Sequence, residues 1–295
     1  MITLRTLLAA TDLSAPARHA AMRAALLARD AGARLELLHV VEGGALEQLR
    51  HLLGGQATPV AERLLAAARE DLTRLAAEIG APVGVSPGVH LSTGPVLQEI
   101  TAQADALDVD LLVLGARGAG FMRHLLLGAT AERLLRKALR PLLVVKQVPH
   151  ERYRRVLVPV DFSPWSLQSL RLGRALAPDA DFILFNAFCV PFEGMLRLAG
   201  VEDARLHDYR LTARQNALRD LQEMASAAGL QDTDYHTVTL LGDAVSLILE
   251  QEEEQDIDLI VMGKHGKGMI EELLLGSVTK HILAESHGDV LVAQR

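Results

Sequence analysis

Cysteine occurs once in the 295 residues, as Cys189, so no internal disulfide can form and a reducing cytoplasm is the natural setting. Aromatic residues make up only 3% of the chain, which leaves few platforms for stacking single-stranded bases. Positive charge is not in excess either. The formal net charge is -7, which disfavours broad electrostatic attachment to nucleic acid. No apolar run approaches the roughly 18 residues of a membrane-spanning helix. The opening MITLRTLLAATDLS has only a short apolar part, interrupted by Arg5 and ended at Asp12 without a small-residue cleavage site, so it reads as a buried strand rather than a signal peptide. What is present, 49% hydrophobic and 23% charged residues, is the composition of a soluble globular protein with about two domains.

The chain is written twice. VDLLVLGARG (Val109 to Gly118) and IDLIVMGKHG (Ile257 to Gly266) align without a gap, 148 positions apart. The same offset joins Gly94 to Gly242 and Gly128 to Gly276, and LLAATDLS pairs with VLVPVDFS near the front of each copy. A period this long predicts two duplicated domains, residues 1–148 and 151–295, joined near KQVPHERYRR. Within the second copy, RVLVPV, DFILFNAF, YHTVTLL, DLIVMG and DVLVAQ are runs of strand length. Helical stretches separate them: Pro164 to Ala177, about Val201 to Ala228, and two that start near Asp243 and Gly276. Short buried strands alternating with helices predict an α/β fold, with one doubly wound, five-stranded parallel sheet in each half.

In such sheets ligands bind beyond the carboxyl ends of the strands, where the strand order reverses. Asp161 ends the first strand of the second copy, and the glycine-rich GKHGKGMIEELLLGSVTK begins where the fourth ends. The helix predicted to start at Gly276 offers free N–H groups and the positive end of its dipole to an anion. Gly276 permits close approach, Ser277 and Thr279 carry hydroxyls, and Lys264, His265 and Lys267 add positive or titratable groups. Gly276 alone would be an ordinary helix start, and Ser277 alone an N-cap. Joined to Gly263, Gly266 and Asp161 they read as an anion site. The spacing is not that of a P-loop, and no G-x-G-x-x-G follows the first strand.

MGKHGKGMIEELLLGSVT resembles the nucleotide-binding signature G-x2-G-x9-G-[ST] of the universal stress protein family, with Gly263, Gly266, Gly276 and Ser277 in its fixed positions. PVDFS (Pro159 to Ser163) is similar to that family's first-strand end. The resemblance covers both halves, so the chain looks like a tandem universal stress protein. It implies a flavodoxin-like strand order 3-2-1-4-5 and ATP binding, which a subset of the family shows. Carried over, Pro159, Val160 and Asp161 would border the adenosine, with Ala187 (or Phe188) against adenine. Met262, Gly263, His265 and Gly266 would line the ribose and phosphates, and Gly276, Ser277, Val278 and Thr279 would hold the phosphates. Mg2+ commonly bridges such phosphates. The resemblance also implies that single-domain subunits pair through the last strand. Here the edges LLVVK (Leu142 to Lys146) and VLVAQ (Val290 to Gln294) are therefore expected to meet, making the chain an internal pseudo-dimer.

The first copy keeps Gly115, Gly118 and Gly128 but has Ala129 and Ala131 at the hydroxyl positions, so nucleotide is expected in the second half and the first half's ligand is left open. The expected role is regulatory, in a stress response, with a partner that the sequence does not name. Asp161 is the one obvious carboxylate near the site and has no evident base-and-nucleophile pair, so no catalytic residue is assigned and at most weak ATPase activity is expected. A slow ATP hydrolase or phosphotransferase is the enzymatic alternative. A carrier or sensor of an apolar metabolite is the other, through the leucine-rich segments ALEQLRHLLGG and FEGMLRLAG. These segments are expected to pack as lids, with a contact between whole chains, a homodimer, as the further option. His39 and His90, with His19 or His124, could converge on a metal, but satisfied or surface histidines are the simpler reading and no metal ligand is assigned. The acidic EQEEEQD is read as a solvated helix end.

Overall fold

The computed structural model describes residues 2–44, 57–116, 127–137, 139–190, 192–266 and 275–294. The chain divides into two compact units, Met1–Arg152 with Asp289–Arg295, and Tyr153–Gly288.

The first unit runs β1 (Thr6–Ala10), α1 (Ala15–Ala31), β2 (Arg34–Glu42), α2 (Ala57–Gly80), β3 (Gly88–Gly94), α3 (Val96–Ala106), β4 (Leu111–Gly115), α4 (Ala129–Lys137) and β5 (Leu142–Val145). The strands lie parallel in the order β3-β2-β1-β4-β5, the predicted 3-2-1-4-5 arrangement. Leu7, Leu8 and Ala9 of β1 and Leu111, Leu112 and Val113 of β4 are fully buried, because helices cover both faces of a parallel sheet. The covering helix α1 turns Ala17, Ala20, Ala21, Ala24, Ala25 and Ala28 inward, and these small side chains let it lie close to β1 and β4. Ser14 caps its start, accepting from Ala17 N, and Gly32 ends it in the left-handed conformation at φ 62.

A sixth strand completes this unit. β10 (Asp289–Ala293) pairs antiparallel with β5, Val290 opposite Val144 and Val292 opposite Leu142. The two edges that the sequence marks as partners are therefore joined, and the closing strand of the chain belongs to the first compact unit. Asp289, 0% exposed, fastens it there: Oδ1 accepts from Lys146 N at 2.8 Å and Gln147 N at 3.2 Å, and Oδ2 faces the buried Arg23 guanidinium at 3.4 Å.

The second unit runs β6 (Arg155–Pro159), α5 (Pro164–Leu176), β7 (Asp181–Phe188), α6 (Glu193–Leu198), α7 (Asp203–Ala228), β8 (Tyr235–Leu241), α8 (Ala244–Glu254), β9 (Leu259–Gly263) and α9 (Ser277–Glu285). Its parallel order is β9-β6-β7-β8. α5 packs with α7, and α8 with α9. Among the described residues no helix of either unit is long and apolar enough to cross a membrane.

Candidate functional site

β6 has β7 on one side and β9 on the other, so the chain leaves it in opposite directions and a crevice opens beyond its carboxyl end. A cavity of about 360 Å³ lies there. Its walls include Pro159, Val160 and Asp161 at the end of β6, Ala187 on β7, and Met262, Gly263, His265 and Gly266 leaving β9. Gly276, Ser277, Val278 and Thr279 at the start of α9 complete it, so all twelve residues singled out from the sequence surround one space. Lys264 is buried and is not part of the wall, and Lys267 lies outside the described residues.

The glycines act by close approach. A Cβ on Gly263 would stand 3.1 Å from Trp165 Cβ and 3.3 Å from His265 O; one on Gly266 would stand 3.1 Å from Asp161 Oδ2. On Gly276 it would be 3.3 Å from Lys264 O, the carbonyl that accepts the Gly276 N–H at 3.0 Å. The first backbone bond of α9 runs from Lys280 N to Gly276 O. Gly276 has no side chain with which to cap, so the N–H groups of Ser277, Val278 and Thr279 form an uncapped helix start at the cavity wall. By contrast α8, whose Ala244 and Ile248 also line the cavity, is capped by Asp243. The Asp243 carboxyl is held below its usual range by the Ser246 N–H and hydroxyl, with a smaller pull from His281.

Two of these side chains also have partners within the protein. Thr279 is buried, and its hydroxyl donates to Gly263 O at 2.9 Å, tying α9 to the end of β9. Its hydroxyl hydrogen is thus engaged within the protein, while Ser277 is exposed. Asp161 Oδ1 accepts from Ser163 N at 3.0 Å and from Ser166 Oγ at 2.7 Å. Phe162, between them, is held at φ 59, a left-handed conformation that costs a bulky residue about 1–2 kcal/mol and persists only where neighbours fix it.

Sequence reasoning missed Ser163, Ser166, Phe185, Ala244 and Ile248 in the wall. It also missed the buried Asn186, whose Nδ2 donates to Val160 O at 2.7 Å and fixes the end of β6. An amide near the end of a buried strand was the available signal.

The remaining candidates do not join this site. In the first unit His39 Nδ1 lies 2.7 Å from Thr11 O, and since a carbonyl only accepts, that nitrogen carries the proton. His90 is bound to Glu36 Oε2 at 2.8 Å and to Gln103 Nε2 at 3.1 Å. Among the described residues no three His, Cys, Asp or Glu side chains form a metal-binding group; His124 lies outside them. Leu46, Leu49, Leu52 and Leu53 also lie outside the described residues. In the second leucine-rich segment Phe192, Met195 and Leu198 are 71%, 60% and 89% exposed, so these three do not pack as the expected lid, whereas Leu196 is half-buried. The helix that carries them, α6, is pinned to α7 by a Glu193–Arg210 fork that lowers the Glu193 carboxyl's pKa.

Comparison with known proteins agrees with this architecture. The family model described as "Universal stress protein family" matches residues 3–146 and again 152–294. A universal stress protein of Methanocaldococcus jannaschii is 30% identical over 146 residues, 48% of this chain and 83% of the relative. The crystal structure of a universal stress protein from Archaeoglobus fulgidus covers 98% of both chains with a TM-score of 0.70; at 21% identity it speaks for the fold alone. A universal stress protein solved in complex with cAMP is 28% identical and covers 49% of this chain and 99% of its own, with a TM-score of 0.37.

Proposed function

The chain belongs to the universal stress protein family, and from that premise we propose that its second unit binds ATP as a regulatory ligand in a stress response, its occupancy altering the protein's shape or partners. The observation that carries the reading is the uncapped start of α9, Gly276 to Thr279, in a cavity whose wall also has an apolar part, at Phe185, Ala187, Ile248 and Met262. That pairing suits a ligand with one anionic end and one flat apolar end. About 360 Å³ is within the range of small-molecule pockets.

A divalent ion fits as a companion of the phosphates rather than as a resident of the protein. At the start of α9 the wall offers a hard oxygen donor in Ser277, and among the described residues no cluster forms a protein cage for a metal. Mg2+ suits such a place because it keeps several waters and is held largely through the substrate's phosphates. The single cysteine supports a cytoplasmic location.

The test uses the chain's single tryptophan, Trp165, whose Cβ stands 3.1 Å from the Gly263 Cβ position, as a fluorescence reporter. ATP should change its emission saturably, and calorimetry should give one site per chain. Gly276→Val should abolish both signals. Undiminished affinity in that variant would overturn the assignment.

A further inference from the structure

Asp161 occupies its place in the wall through a partner on the next helix. Ser166, 4% exposed in the first turn of α5, donates its hydroxyl to Asp161 Oδ1 at 2.7 Å. The Ser163 N–H donates to the same oxygen at 3.0 Å, and the Asp161 N–H reaches Ser166 Oγ at 3.3 Å. Two donors on one carboxylate oxygen fix the rotation of the whole group, so Oδ2 is turned to the side of Gly266, 3.1 Å from where a Cβ would stand. Gly266 in turn presents its N–H 3.7 Å from the Gly276 Cβ position. Asp161 Oδ2 therefore lies beside Gly266, another residue of the cavity wall.

We infer that Ser166 is a positioning residue for ligand selection: by holding Oδ1 it aims Oδ2 at a hydrogen-bond donor of the ligand. This rests on the nucleotide reading above. An ionised carboxylate only accepts, and it repels phosphate, so the group it selects is an O–H of the sugar or an N–H of the base. The first unit supports the inference by contrast. Asp12 makes the same turn, accepting from Ser14 N at 3.0 Å, but the position matching Ser166 is Ala17, which has no hydroxyl to give. The copy that lacks hydroxyls at Ala129 and Ala131 thus lacks this one as well.

The experiment is a double-mutant cycle on the full chain, with ATP affinity measured by calorimetry for wild type, Ser166→Ala, Asp161→Ala and the double variant. Ser166→Ala should weaken ATP about tenfold or more, the scale of a hydrogen bond to a charged group. In the Asp161→Ala background the same change should cost less than about twofold, because a residue acting through Asp161 has nothing left to position. If alanine is not tolerated at this buried place, Ser166→Cys, a weak donor of similar size, gives the same comparison. Inosine triphosphate, 2′-deoxy-ATP and 3′-deoxy-ATP identify the donor: the analogue lacking it should bind wild type and Ser166→Ala alike. Equal losses in both backgrounds, or no loss in either, would overturn the inference while leaving ATP binding intact. A wild-type protein that binds no ATP would overturn the nucleotide reading and this inference with it.

Discussion

The two units share their backbone devices and differ in their side-chain chemistry. Asp110 Oδ2 accepts from Arg5 N and Thr6 N, and Asp258 Oδ2 from Arg154 N and Arg155 N, so one carboxylate clips the start of the first strand in each copy. Leu13 and Phe162 have φ of 65 and 59, Asp108 and Asp256 of 46 and 47, and Gly94 and Gly242 of 154 and 152. Even costly conformations have been copied. Yet Ser166 faces Ala17 across the repeat, Ser277 and Thr279 face Ala129 and Ala131, and Asn186 faces His39. Where the second unit has the apolar Ile183 and Val238, the first has Glu36 and His90, bonded to each other, with Gln103 on the other ring nitrogen of His90. Turns and strand ends set the frame of a parallel sheet, whereas the residues around the crevice are free to diverge once the frame stands.

The comparison stops at the last strand, since β10 lies beside β5 in the first unit. Breaking its anchor should have the largest effect on stability. Asp289→Ala would remove the carboxylate 3.4 Å from the Arg23 guanidinium, whose side chain is 6% exposed, and truncating one member of such a buried pair costs about 3–5 kcal/mol. Urea unfolding of the variant measures it. A loss below about 1 kcal/mol would show that β10 is held by its apolar ladder alone.

Next in size is the contrast between the glycine starts. Gly276→Val should lower ATP affinity by more than about 100-fold, while Gly128→Val, at the equivalent place in the first unit, should leave it within about twofold. Equal losses would mean that the first unit also holds nucleotide. Thr279→Ala should act mainly on stability, by about 1 kcal/mol, because its hydroxyl serves Gly263 O. Ser277→Ala should act mainly on affinity. Interchange of these two phenotypes would restore to Thr279 a direct part in holding phosphate. Turnover with saturating ATP should stay far below the median enzyme rate of about 10 per second. Rapid release of phosphate that vanished in His265→Ala would replace the binding role by a catalytic one.

Much of this was legible because the signals are periodic or glycine-based. The continuous apolar strands, the repeat offset and the spacing from Gly263 to Ser277 together outline the sheet and the walls of the cavity. Partner choice within the protein was not legible. EQEEEQD reads as solvated, but Glu252 is 4% exposed, and its Oε1 accepts from His287 N at 2.9 Å and Gly288 N at 2.6 Å. This also explains an acid near the end of α8, against the helix dipole: it satisfies backbone donors some 35 residues away rather than its own helix. The hydroxyl of Thr279 and the amide of Asn186 are likewise bound to carbonyls far along the chain. A side chain's type shows that it needs a partner; only the fold decides which one.

The smallest effect expected separates the two helix starts that follow the third strands. In the first unit α3 follows Pro95 with no side-chain cap, whereas in the second Asp243 caps α8 by accepting from the Ser246 N–H and hydroxyl, each at 3.0 Å. The folded Asp243 carboxyl is held below its ordinary value, so the carboxylate favours the folded state. That contribution is fully present above the unfolded value, about 3.9, and is lost as pH falls through the lower, folded one. Asp243→Asn keeps an acceptor at the cap but cannot titrate. The stability gap between wild type and Asp243→Asn should therefore be open at pH 6 and close progressively below about pH 4. Urea unfolding from pH 2 to 7 measures both proteins. A gap that is the same at pH 2.5 and pH 6 would mean that Asp243 caps α8 by geometry alone, with no help from its charge.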